Sequence, residues 1–238
     1  MAIENIIEID VIILSYAYND QLKSVTIDSI NSLLASEDPS KIKFNIIVME
    51  SQKDLNGYQY PSSQTVYPKE YFGFHRYLNI GIEMTNAPFV CLCNNDLIYH
   101  KNWASEILKY MQDIPDLISA SPICSIYHHN VGVQMYTGIW EGYQIGYEIS
   151  GWCLFVKREL FGIIGKLDEN FTFSSADYDY SNTLAVLGLK HGLVTSSIVD
   201  HLDKTTRSTQ TQEKQIELGA RVEYFDHKWS HRLLPKFD

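Results

Sequence analysis

Phe89-Val90-Cys91-Leu92-Cys93-Asn94-Asn95-Asp96-Leu97 is the stretch that decides the fold of this chain. Five apolar residues in a row have the pattern of a strand buried on both faces, as in a parallel sheet covered by helices. The run stops abruptly at two amides and a carboxylate. In an open α/β sheet, ligands bind in the crevice outside the carboxyl ends of the strands. Asp96 at such an end is placed to hold a divalent cation, because Mg²⁺ takes one or two protein carboxylates plus phosphate oxygens. The plainer reading of Asn94-Asn95-Asp96 is a turn, since these are ordinary turn residues. The rest of the chain decides between the two.

Upstream, Asp10-Val11-Ile12-Ile13-Leu14-Ser15-Tyr16 predicts a first strand and residues 42–49 a second. Between them, residues 21–34 form an apolar helical face through Val25, Ile27, Ile30, Leu33 and Leu34. Strand, helix, strand opens a βαβ unit, whose crossover is almost always right-handed. Neither G-x-G-x-x-G nor G-x-x-x-x-G-K-[ST] follows the first strand, so the dinucleotide and P-loop fingerprints are absent. A short strand is expected over 65–67. A helix entered near Gly73 carries Arg76, Asn79 and Ile80 on neighbouring turns.

Downstream, the pattern predicts a helix over 103–111 and a strand over 117–124. Residues 127–147, rich in Gly and aromatics, read as hairpins or a long loop over the sheet edge. A strand over 151–156 and a short helix over 157–161 follow. A helix then opens at Ser174-Ser175, with serines to cap it and Asp177 and Asp179 in its first turn. Residues 194–199 make a last strand, ending at Asp200-His201, and the tail over 210–231 is mostly helical. With no repeat or linker, the expectation is one domain, mixed α/β with a mostly parallel sheet flanked by helices.

The 238 residues, 45% hydrophobic and 13% aromatic, are those of a folded protein with a substantial core. A formal net charge of −10 and a pI near 5.2 argue against a broad nucleic-acid surface. Cys91, Cys93, Cys124 and Cys153 show no CxxC pairing. They read as small core residues in a reducing setting, without a disulfide framework or structural zinc site. The N-terminus has no basic n-region and no apolar run approaches spanning length, so a soluble, cytoplasmic protein is expected.

The order of these pieces resembles the family-2 glycosyltransferases, which have the GT-A fold. Val11 to Tyr16 is similar to the family's first strand, and Asn79-Ile80-Gly81 to its Asn-x-Gly helix before the metal strand. Cys93-Asn94-Asn95-Asp96-Leu97, with Trp103 after it, resembles the Asn-Asn-Asp variant of the DxD motif. Gly151 to Glu159 resembles the "G-x-x-x-x-x-[KR]-R-E" strand and helix, and Lys166-Leu167-Asp168-Glu169 the "G-x-[FL]-D-E" step. Ala176-Asp177-Tyr178-Asp179 lies where Glu-Asp-x-Asp is usual, and His201 matches a family histidine that often reaches the metal or diphosphate. The resemblance covers about residues 9–208. Glu50 stands where Asp commonly binds the base, and Ala176 replaces the first acid of the pair.

This resemblance implies a metal-dependent, inverting transfer of a hexose or pentose from a nucleoside-diphosphate sugar, UDP-sugar favoured, to an acceptor hydroxyl. It divides the chain into a donor half (9–115), an acceptor half (116–208) and a tail (209–238). Asp96 and His201 are the expected ligands of Mn²⁺ or Mg²⁺, imidazole suiting Mn²⁺ better. The general base is Asp177 or Asp179. Ser15, Tyr16 and Glu50 are candidates for the nucleoside, and Asn79, Asn94 and Asn95 join them through their motifs. Arg76 meets the diphosphate or else only a neighbour such as Glu83. Lys204 and Arg207 are candidates for a lid over the phosphates. Trp140, Tyr143, Tyr147 and Trp152 are candidates for a sugar-stacking acceptor wall. The acceptor is a glycan, a lipid-linked glycan, a protein or a modified nucleic-acid base. The alternatives are a nucleotidyltransferase, which usually shows a Gly-rich basic loop after its first strand, and a catalytically silent nucleotide- or sugar-binding module.

Overall fold

The computed structural model describes residues 6–55, 57–202 and 222–230. Strand β1 (Ile7–Ser15) leads through α1 (Asp20–Ser36) to β2 (Ile42–Glu50), β3 (Gln64–Val66) and α2 (Phe74–Glu83). Then come β4 (Phe89–Asn94), β5 (Leu97–Tyr99), α3 (Trp103–Asp113), β6 (Leu117–Ile123), α4 (Tyr127–Asn130) and β7 (Ile139–Glu141). The remaining elements are β8 (Cys153–Lys157), α5 (Glu159–Ile164), α6 (Ala176–Leu187), β9 (Lys190–His201) and α7 (Val222–Trp229). None of the helices among the described residues is long and apolar enough to cross a membrane.

The strands join one sheet in the order β3-β2-β1-β4-β8-β6-β9-β5, with β7 also on β9. β3, β2, β1 and β4 run parallel, as do β6 and β9, while β8 is inserted antiparallel between β4 and β6. The alternation of β1 separates two cores. Ile9, Val11 and Ile13 face α1 and α3 with Trp103, whereas Ile12 and Leu14 face α2, α5 and α6. On the second face α2 packs close to β1 at Gly81, where a Cβ would lie 2.6 Å from Ile12 Cγ2. Asn19 caps α1 by accepting the Leu22 amide at 2.9 Å.

Several local expectations change. Ser175 precedes α6 in a left-handed conformation, φ 62°, and makes no side-chain cap bond. The 127–147 region holds a one-turn helix and a strand, and β9 begins at Lys190, earlier than the apolar run suggested. Its early polar residues are satisfied inside the fold. His191 Nε2–H donates to the Glu148 carbonyl at 3.0 Å, so Nδ1 accepts the Ser119 hydroxyl at 2.7 Å, and Ser119 accepts from Tyr180. The three sulfurs of Cys91, Cys93 and Cys153 lie within 4.8 Å of one another in the β4–β8 core, and burial pushes the Cys91 and Cys153 thiols up.

Burial also holds the His191 imidazole down at about 4, against 6.5 ordinarily. The folded state therefore prefers the neutral ring. Its contribution is complete above pH 6.5 and declines as the pH falls towards 4, by on the order of 3 kcal/mol in total. Urea midpoints at pH 7.5 and 5 are expected to show this loss, and His191→Gln to flatten the slope between them.

Candidate active site at the carboxyl edge of the sheet

Parallel strands end on one side, so the ends of β1, β2, β4 and β9 share an edge. β4 and β9 are separated in the sheet by β8 and β6, yet their last residues meet. The chain turns sharply after Asn94, and β5 runs back antiparallel to β9 with Leu97 opposite His201. The Leu202 amide donates to the Asp96 carbonyl at 3.0 Å. Asp96 Oδ1 thereby stands 3.2 Å from His201 Nε2, both side chains largely buried. Asn94 Nδ2 lies 3.5 Å from the same nitrogen. The indole of Trp152 stacks on the imidazole with centroids 5.0 Å apart and planes at 9°, which holds the ring's orientation.

A carboxylate oxygen and an imidazole nitrogen are suitable donors for Mg²⁺ or Mn²⁺. Adjacent ligands of an octahedral ion with bonds of about 2.1 Å stand about 3 Å apart. The Asp96–His201 spacing of 3.2 Å fits a chelating pair.

The Gly151-Trp152 step ties this pair to α6. A Cβ on Gly151 would lie 2.8 Å from Asp177 Cβ and 3.1 Å from its Oδ2, so only glycine lets that carboxylate sit against the start of β8. Asp177 is half-buried and accepts the Tyr178 amide at 2.9 Å. Burial raises its carboxyl above the usual aspartate value. Asp179 has another use. It is buried, and its Oδ1 takes the Trp229 indole N–H at 2.9 Å and the Lys228 ammonium at 2.7 Å. Lys228 also reaches Asp168 at 2.8 Å, where Tyr224 donates as well. Asp179 thus anchors α7 onto the 168–179 segment.

The remaining candidates separate into two groups. Ser15, Glu50 and Asn95 converge in one buried network. Glu50 accepts from Ser15 Oγ and Tyr60 OH, each at 2.8 Å, and from the amides of Ala17 and Gln52 at 3.2 and 2.8 Å. Asn95 donates to Thr26 Oγ1 at 2.9 Å, and Thr26 lies 3.2 Å from Ser15. As placed, Ser15 and Glu50 bond each other and the loops after β1 and β2. Tyr16 remains half-buried on that first loop, its ring 5.7 Å from that of Tyr18. Arg76 and Asn79 instead grip the 167–169 step. Arg76 pairs with Glu169 at 3.0 Å, and Asn79 exchanges bonds with the Leu167 backbone at 2.9 and 3.0 Å. Lys166, not Arg76, pairs with Glu83. Arg207 and Lys204 lie outside the described residues.

The four aromatics expected as one wall are dispersed. Tyr143 bonds the Leu189 carbonyl and lines a cavity of about 440 Å³ beside Pro115 and Lys190. Tyr147 packs with Ile123, Val133 and Leu193, and Trp140, on β7, donates to Thr137 just before that strand. Trp152 alone reaches the Asp96–His201 pair, a role carried in the sequence only by its place beside Gly151. The anchoring of Asp179 by Lys228 and Trp229 had no local signal.

No family model matches the sequence, and no curated protein matches it. Among solved structures, the chain is similar to GalNAc-T7, crystallised with UDP, GalNAc and Mn²⁺, with a TM-score of 0.67 and 12% identity. That match covers 83% of this chain and 44% of the other. It is also similar to TarS 1-349 of S. aureus, with a TM-score of 0.58, 10% identity and coverage of 81% and 59%. The chain spans about half the length of these two. The sheet order, the flanking helices and these likenesses together establish a GT-A type fold, the architecture of these glycosyltransferases.

Proposed function

We propose that this protein is a metal-dependent glycosyltransferase that moves a sugar from a nucleoside-diphosphate sugar, UDP favoured, to an acceptor hydroxyl with inversion. The observation that carries the reading is the Asp96–His201 pair, 3.2 Å apart, joined through Trp152 and Gly151 to the half-buried Asp177. The fold likeness to GalNAc-T7, a structure containing UDP and Mn²⁺, supports it.

In this reading Asp96 and His201 hold Mn²⁺ or Mg²⁺, and the ion, when bound, neutralises the charge developing on the leaving diphosphate. Trp152 keeps the His201 ring in place by stacking. Asp177 accepts the proton of the attacking hydroxyl, and its raised carboxyl brings its proton affinity nearer working pH. One base acting opposite the leaving group gives inversion. Glu50 holds the loop that carries Tyr16, and Tyr16 is the nucleoside contact. Arg76, Asn79 and Asn95 act by positioning the loops they bond, and Arg207 remains a lid candidate.

The test is nucleotide release from UDP-, GDP- and TDP-sugars with Mn²⁺, the parent beside Asp96→Ala. Slow, metal-dependent release of one nucleotide is expected from the parent. Mn²⁺ should raise nucleoside-diphosphate affinity in the parent and not in Asp96→Ala. If Asp96→Ala binds nucleotide and metal as the parent does, the metal assignment is wrong. No release and no nucleotide binding across the panel would overturn the enzyme reading.

A further inference from the structure

We infer that Tyr127 and Trp152 form the acceptor subsite, and that the acceptor group bound there is an uncharged sugar ring, a pyranoside. This rests on the glycosyltransferase reading above and specifies its second substrate.

The Asp96–His201 pair is extended outward by aromatic rings. Trp152 lies flat on His201, and Tyr127 meets Trp152 edge-on, with centroids 5.3 Å apart and planes at 73°. Tyr127 is 41% exposed, so the series runs from the buried pair to solvent. Its place is built rather than incidental. The Ser125 amide donates to Asp200 Oδ1 at 2.7 Å, which ties the turn before α4 to the end of β9, one residue from His201. On the far side, a Cβ on Gly146 would stand 2.5 Å from the Tyr127 hydroxyl, so the ring closes directly against that backbone. Trp152 follows Gly151, whose backbone supports Asp177, so base and platform share one short segment.

A second observation is independent of exposure. The Trp152 indole N–H is buried and has no hydrogen-bond partner among the described residues. Buried donors are nearly always satisfied, and an unpaired one is costly. The nitrogen is closed off from solvent in the unliganded protein, so a ligand oxygen would satisfy it through a shift of the Trp152 ring on binding. A pyranoside combines the two needs, an apolar C–H face for an aromatic ring and hydroxyls at its edge for a donor. Of the rings in contact with Tyr127, the Trp152 indole carries no charge and burial holds the His128 imidazole towards its neutral form, so these rings offer a phosphorylated acceptor no cationic partner.

The experiment measures transfer from the donor identified by nucleotide release to methyl and p-nitrophenyl pyranosides of glucose, galactose and their N-acetylated forms. The parent is compared with Tyr127→Ala and Tyr127→Phe, each first checked for an unchanged thermal transition. The expected result is transfer to at least one pyranoside, with acceptor KM raised about tenfold or more in Tyr127→Ala and kcat changed much less. Tyr127→Phe should keep the parent KM, because the ring is the platform. Donor release without transfer to any pyranoside would overturn the acceptor class and leave the transferase reading intact. Equal KM in the parent and Tyr127→Ala would overturn the subsite. A parent that neither releases nor binds nucleotide removes the transferase reading itself, and this inference with it.

Discussion

Asp177→Asn is expected to lower the transfer rate by about 10²- to 10⁴-fold, the usual contribution of a positioned general base. Asparagine nearly preserves the shape of the side chain, and its carbonyl can still accept the Tyr178 amide, so α6 keeps its start. What disappears is the group that takes the proton. Nucleotide and Mn²⁺ binding, which this reading assigns to Asp96 and His201, should persist. The pH profile gives a second readout. A base must be ionised to work, so activity falls on the acid side. Because burial raises the Asp177 carboxyl, that limb should lie above the ordinary aspartate value. The limb belongs to the same residue that the rate loss identifies. Asp179→Asn offers the contrast. It weakens the Lys228 and Trp229 contacts that hold α7, so its main effect should be a lower thermal transition. If Asp179→Asn abolishes transfer at unchanged stability while Asp177→Asn does not, the two acids exchange roles.

Arg158→Ala is expected to destabilise the protein by about 3–5 kcal/mol, the cost of leaving a buried carboxylate without its partner. Asp10 is buried near the start of β1, where it receives Arg158 NH2 at 2.6 Å, the Ala87 amide at 2.7 Å and Asn45 Nδ2 at 3.0 Å. Arg158 further donates to the Ile82 carbonyl at 3.2 Å and to Thr85 Oγ1 at 2.9 Å. One guanidinium thus joins β1, the end of α2, the approach to β4 and the start of α5. This junction lies at the sheet edge opposite Asp96, so the substitution should act on stability rather than on nucleotide binding. Urea denaturation checks it: the midpoint should fall with the slope unchanged. The double variant Asp10→Ala/Arg158→Ala should recover part of the loss, since the uncompensated charge is gone. A loss below about 1 kcal/mol in Arg158→Ala would mean that Asp10 is resolvated by local opening.

Most of the scaffold was legible because local chemistry determines it. The segments 10–14, 42–49 and 89–93 carry apolar runs, at 11–14, 46–49 and 89–93, long enough to predict parallel strands, and the helices between them carry a clear apolar face. β5 was not legible. It is a strand only because β9 is there to pair with it, and three residues carry no period of their own. The start of β9 was hidden for a related reason. The polar His191 lies ahead of the apolar run, and its hydrogen bonds are made with Ser119 and the Glu148 carbonyl from distant parts of the chain.

The same division holds at the site. Residue type and position alone put a carboxylate just after β4, a histidine at the end of β9, two acids at the start of α6 and glycines at 81 and 151. Those are properties of residue type and position along elements that form for local reasons. Only the tertiary structure decided that Asp96 meets His201 through the turn into β5, and that Trp152 fixes the imidazole by stacking. It also decided that Asp179 is taken by α7, while Ser15, Glu50 and Asn95 belong to one buried network. The physical reason is that a polar side chain's role depends on which groups desolvate and bond it. Here those partners lie tens of residues away, where no local spacing records them.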